Sequence, residues 1–217
     1  MPRSQSDPTP PHSTTGSGAR LNRAEIPSTI WATGTQPLDA SDSWPEPIIK
    51  RAVREFTRPG DRIRLVQPAT TRRQLSVAPS STDRPNAAIA KLERKPDHPG
   101  TVDLLLASML PHHHDPAGAA TQLAALAADE LAEDGVLVVL TRCTHTSDGT
   151  LIDPTGPVVA AGQNADLLYL GHIVAVPITD DTITGPPRCV RKQSTSAPRH
   201  RNVHVDVLVF LQPRTTA

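Results

Sequence analysis

"TVDLLLASML" at 101–110 and "DGVLVVLTRC" at 134–143 decide the fold. Each is a near-continuous apolar run of strand length, the pattern of a strand buried on both faces. The Ala- and Leu-rich segment from Ala117 to Glu133 between them has the length and composition of a helix. Strand, helix and strand in that order make a β-α-β crossover, the unit from which open α/β sheets are built. Ligands of such sheets bind at the carboxyl ends of the strands, so chemistry is expected in the residues that follow Leu106 and Leu140. "HVDVLVFLQP" at 204–213 adds a third apolar strand.

Upstream, "IPSTIWATG" at 26–34 is the first apolar cluster and reads as an extended arm. Ser43 and Glu46 have capping-box spacing, and Ile48, Ile49, Ala52, Val53 and Phe56 recur on one helical face that should pack on the sheet. "RPGD" at 58–61 ends that helix in a turn, and "RIRLVQ" at 62–67 follows as a strand. Between 68 and 100 the signal fades into Ser, Pro and Arg, with room for a strand at Gln74 to Val77 and a short helix near Asn86 to Arg94. Downstream, "DPTGPVVAAGQNA" at 153–165 reads as a short helix and "LLYLGHIVAVPI" at 167–178 as a strand. A basic, Pro-rich loop at 185–201 joins that strand to the last one.

The chain has 217 residues, enough for one domain with a sizeable core and too few for two. Its 23 prolines and five aromatic residues leave a thin core to Leu, Val, Ile and Ala. Residues 1–25 are rich in Ser, Thr, Pro and Gly with few apolar side chains, the composition of a disordered tail. Residues 26–213 then form the domain. The 22 basic and 22 acidic residues cancel, so no global field draws the protein to nucleic acid or membrane. Local patches remain as candidate phosphate-facing surfaces. One holds Arg51, Arg54, Arg58, Arg62, Arg64, Arg72 and Arg73, and the other holds Arg188, Arg191, Lys192, Arg199 and Arg201 with no acid among them. No apolar stretch is long enough for a bilayer span and the N-terminus has no signal-peptide core, so a cytoplasmic protein is expected. In that compartment Cys143 and Cys189 are expected as free thiols.

The order of these elements resembles a group of bacterial DNA methylases of the amino-methyltransferase class. The resemblance covers roughly 26–67 and 101–212. It lies in the helix followed by "RPGD" and a strand, in the strand that ends at Ser108, in "LAEDGVLVVLTR", in "GTLIDPTGPVVAAG" with Gly149, Leu151, Asp153, Ala160, Ala161 and Gly162, and in the last strand Asp206 to Phe210. The arm Ile30, Trp31, Ala32, Thr33 also looks like the family's opening segment. What the resemblance implies is a trimmed Rossmann-like methyltransferase fold, mostly parallel, with a last antiparallel strand inserted near its edge. It also implies S-adenosylmethionine as cofactor, DNA as partner, and methyl transfer to an exocyclic amine of adenine or cytosine.

The chemistry-bearing motifs depart from the family. There the first strand ends in Asp-Pro and a Gly-x-Gly turn, because glycines let the backbone close around the cofactor. Here "QPATTRR" stands in that place, so Gln67 and Pro68 are the candidate cofactor-side residues, and Thr71 and Arg73 replace the glycines. The family's fourth strand ends in a polar residue, Pro-Pro and an aromatic, which accept the target NH2 and stack on the flipped base. Ser108, Met109, Leu110, Pro111 follow here, leaving Ser108 as the candidate catalytic residue and no stacking ring except His112. Loss of both motifs points to impaired or lost catalysis. A non-catalytic scaffold that binds DNA or a partner, and a decaying remnant, are the alternative readings.

Other candidates read as structure. Three consecutive histidines, His112, His113 and His114, cannot converge easily on one ion and suit a solvated loop. Cys143, His145 and Cys189 lack a fourth metal ligand and a Cys-x-x-Cys pair. Asp103 belongs at a strand entrance, away from the cleft. His204 and Asp206 alternate on one face of a strand that reads as a solvent-facing edge.

Overall fold

The computed structural model describes residues 29–68, 75–77 (backbone alone), 99–110, 113, 115–146, 148–185 and 203–214. The tail 1–25, the helix expected near 86–94 and nearly all of the basic loop 185–201 lie outside the described residues.

The two decisive apolar runs are strands at the centre of a seven-stranded sheet. In chain order its strands are β1 (Ile30–Ala32), β2 (Ile63–Pro68), β3 (Leu75–Val77), β4 (Val102–Ser108), β5 (Leu131–Thr141), β8 (Leu168–Val176) and β11 (Val205–Leu211). Two hairpins, β6 (Thr144–His145) with β7 (Leu151–Ile152) and β9 (Ile178–Thr179) with β10 (Thr182–Ile183), stand outside it. The spatial order is β1-β8-β11-β5-β4-β2-β3. Strands β2, β4 and β5 pair in parallel, as do β1 and β8, while β11 runs antiparallel between β5 and β8. The expected α/β class, mostly parallel sheet and antiparallel last strand are therefore present. A second antiparallel strand, β3, closes the far edge against β2.

Helices cover both faces. On one, α1 (Glu46–Phe56) buries Ile48, Ile49, Ala52 and Phe56, the stripe expected from its spacing. They pack with Trp31, Leu65, Leu104, Leu106, Val138 and Val207. On the other, α2 (Pro116–Glu130) and α3 (Thr155–Asn164) cover Leu105, Leu137, Val139, Leu208 and Phe210. Alternate residues of each central strand enter opposite clusters, so 104–108 of β4 and 136–141 of β5 are buried throughout without the helices having to be long. Each fully buried Leu, Ile or Val contributes about 1.5–3 kcal/mol. Helix α3 lies so close to β11 that a Cβ on Gly162 would stand 2.5 Å from Phe210 Cε1, which is why glycine occupies that position.

Two local expectations are corrected. The capping box at Ser43 does not form: Pro45 is the N-cap, without a side-chain cap, and its carbonyl accepts from Ile48 and Ile49 at 3.0 Å. Helix α2 ends at Glu130 rather than Glu133, because Leu131 already pairs with Val102 as strand. Among the described residues no helix is long and apolar enough to cross a membrane.

Candidate functional site

Because β2, β4, β5 and β8 run the same way, their carboxyl ends share one rim of the sheet. At that rim β4 contributes Ser108, β5 contributes Arg142, and β2 contributes Gln67 and Pro68. Ser108 is fully buried, and its hydroxyl donates to the carbonyl of Ser43 at 2.5 Å. Arg142 is 7% exposed and donates from Nη1 to the Ala40 carbonyl at 2.7 Å and from Nη2 toward the Asp39 carbonyl at 3.4 Å. Burial pushes the guanidinium pKa down, and the Asp39 and Asp42 carboxylates draw it partly back. The segment 39–44, which leads from β1 to α1, thus lies over the ends of β4 and β5. A small hollow beside it is lined by Met109, His113, Arg142 and Pro154.

Gln67 and Pro68 stand opposite Ser76 and Leu75. Six residues, 69–74, separate the two strands in the sequence, and β3 lies antiparallel along the outer edge of β2.

A second cluster lies between β5, β11 and β8. The buried Asp206 carboxylate meets His172 Nε2 at 2.8 Å and His204 Nε2 at 3.3 Å. This corrects the expectation of a solvent-facing edge: β11 is interior, and Asp206 stands between Thr141 and Val174. The alternation of His204 and Asp206 could not reveal this, because long-range pairing decides which strand is an edge. Burial first, and then the Asp153 and Asp206 carboxylates, raise the pKa of the nearby Cys143 thiol. A nucleophilic cysteine needs the opposite surroundings. Burial raises Asp153, but hydrogen bonds from Thr155 and Cys143 outweigh it and leave the carboxyl below its ordinary value. Asp153 Oδ1 accepts the Thr155 N–H at 2.9 Å and so caps the start of α3. Among the described residues no three His, Cys, Asp or Glu side chains are grouped to hold a metal ion.

His113 is 6% exposed, which corrects its reading as part of a solvated loop; His112 and His114 lie outside the described residues. Asp103 stands at the strand entrance as expected, where Oδ2 accepts the Arg62 N–H at 2.9 Å. Of the first arginine patch, Arg64 leaves the surface, whereas Arg54 and Arg62 are exposed. Arg64 is buried in an ion pair with Glu130, Arg51 pairs with Glu55 at 2.7 Å, and Arg62 lies 3.8 Å from Asp103. Arg72, Arg73 and the second patch lie outside the described residues.

Arg142 and His172 are the site residues that sequence reasoning passed over. Each carried a signal: Arg142 directly follows an apolar strand at its carboxyl end, and His172 is the one histidine in "LLYLGHIVAV". No protein-family model, curated protein or solved structure matches the chain.

Proposed function

We propose that the chain is a methyltransferase-like domain, derived from the DNA amino-methyltransferases it resembles, in which methyl transfer from S-adenosylmethionine has been lost and the sheet serves as a scaffold. The observation that carries this reading is the hairpin of β2 and β3. A cofactor turn needs the chain to leave the end of the first strand outward, over the rim, whereas Leu75 already faces Pro68 across the sheet edge. The placement of β11, antiparallel between β5 and β8, supports the ancestry. The buried and bonded state of Ser108 supports the loss, since a catalytic acceptor must be open to the target amine. Any contact to DNA falls to Arg188, Arg191, Lys192, Arg199 and Arg201 rather than to the largely paired arginines of 51–64.

Calorimetric titration of the folded protein with S-adenosylmethionine and S-adenosylhomocysteine tests the reading. No heat of binding up to millimolar ligand is expected. Micromolar binding that weakens in Gln67→Ala would overturn it and return Gln67 and Pro68 to the cofactor side. Binding to duplex DNA, if present, should fall steeply with salt and leave the DNA unmethylated.

A further inference from the structure

A charged guanidinium buried against neutral backbone carbonyls calls for explanation. Arg142 is 7% exposed, yet Nη1 and Nη2 are directed to the carbonyls of Ala40 and Asp39, with the Asp39 and Asp42 carboxylates nearby. Fastening a loop requires only a neutral donor, and taking a cation out of water is costly before any partner is found. What arginine adds is a rigid fork of donors matched to a phosphate or carboxylate group. In this position the fork points into the carboxyl rim, where ligands of α/β sheets bind. The segment above it holds two carbonyl oxygens where the oxygens of an anion would stand, with the Asp39 and Asp42 carboxylates farther off.

That segment also has local turns of its own. Asp39 Oδ1 accepts from both the N–H and the hydroxyl of Ser41 at 2.8 Å. Asp42 Oδ1 accepts the Trp44 N–H at 2.8 Å, and the Asp42 N–H reaches the Asp39 carbonyl at 3.3 Å. These bonds are internal to 39–44 and short in range, so they fray and open to water once the segment is released from the rim. Asp39, Ala40 and Ser41 are exposed, and Trp44 is its partly buried apolar member. The hydrogen bonds that tie it to the rim come from Arg142 and Ser108. Segments with few buried contacts open locally at free energies far below global unfolding.

We infer that Asp39–Trp44 is a strap that closes the carboxyl end of β4 and β5 in place of an anionic ligand, and that it opens to give the Arg142 guanidinium to an anion of the phosphate class. The starts of α2 and α3 are not part of this site; Asp115 accepts the Gly118 N–H and Asp153 the Thr155 N–H there. Nothing in this closure requires a methyltransferase ancestry.

Amide hydrogen exchange on the full chain, with inorganic phosphate compared against sodium chloride at equal ionic strength, decides it. Phosphate binds the open form, so it should speed exchange at Ser41, Asp42 and Trp44 by about fivefold or more. Leu106 and Val138 should keep their protection, and chloride should change neither group. Asp39→Asn with Asp42→Asn, both outside the core, should strengthen the phosphate response, and Arg142→Gln should abolish it. Unchanged or slower strap exchange in phosphate would overturn the inference, as would a phosphate response that persists in Arg142→Gln. If Arg142→Gln does not fold, the Asp39 and Asp42 variant decides alone: a weaker response than the parent's refutes the strap.

Discussion

Two arginines, Arg64 and Arg142, are buried to almost the same degree, 6% and 7% exposed, and are satisfied in opposite ways. Arg64, near the start of β2, faces the buried carboxylate of Glu130 at the end of α2. Its charge is cancelled by another side chain of the rigid core, and Thr101 N–H to the Glu130 carbonyl at 3.0 Å stitches the same corner. Arg142, at the opposite rim, has backbone carbonyls of an exposed segment and two more distant carboxylates. The first arrangement fixes how helix, strand and turn meet. The second leaves a cation that another partner can claim, and it lies at the end of the sheet where ligands bind.

If this contrast is right, removing one partner should be far more costly at Arg64 than at Arg142. Glu130→Ala strands a buried guanidinium and should lower stability by about 3–5 kcal/mol. Arg64→Met with Glu130→Leu, which removes both charges and keeps the volume, should be about as stable as the parent. Urea denaturation of the three proteins measures this. A Glu130→Ala loss no larger than that of a surface substitution would mean that water reaches Arg64 and that the two sites do not differ in kind. Arg142→Gln should cost less, about 1–3 kcal/mol, because the lost hydrogen bonds are partly offset by relief of the buried charge. Its effect should concentrate in the strap. Trp44 fluorescence in a Trp31→Phe background should change before the global transition, and a single coincident transition would show that the strap has no independence.

The contrast also marks what the sequence could disclose. The strands 101–110 and 134–143, the helix between them and the apolar face of α1 were legible because burial on a regular element leaves a period or an unbroken run in the chain. Arg64 was read as one of a basic patch, because its partner is 66 positions away and nothing local announces Glu130. The mistake at Asp206 has the same origin: the strand was read correctly, but its neighbours β5 and β8 were not. The closure of Ser108 by Ser43 and the return of the chain at Leu75 are likewise long-range events. The sequence did show that 67–73 and 108–111 depart from the motifs of the family it resembles, which is why impaired methyl transfer was an expectation before the pairing of β2 with β3 was seen.

The smallest effect concerns Cys143, next to Arg142 on the chain and set in the opposite field. Burial and the Asp153 and Asp206 carboxylates favour its protonated form, so its folded pKa lies above that of an ordinary thiol. The raised pKa means that the contribution of the thiol to stability is complete below the ordinary thiol pKa and is lost as pH rises through the higher folded value. In a Cys189→Ser background, alkylation by iodoacetamide should therefore rise with a midpoint above that of a free cysteine. Asp153→Asn removes one of the two carboxylates and should bring the midpoint down toward the ordinary thiol without reaching it, since burial and Asp206 remain. A parent midpoint at or below that of free cysteine would show that the Arg142 charge governs its neighbour. The rim would then be electropositive throughout, and the confinement of that charge beneath the strap would be refuted.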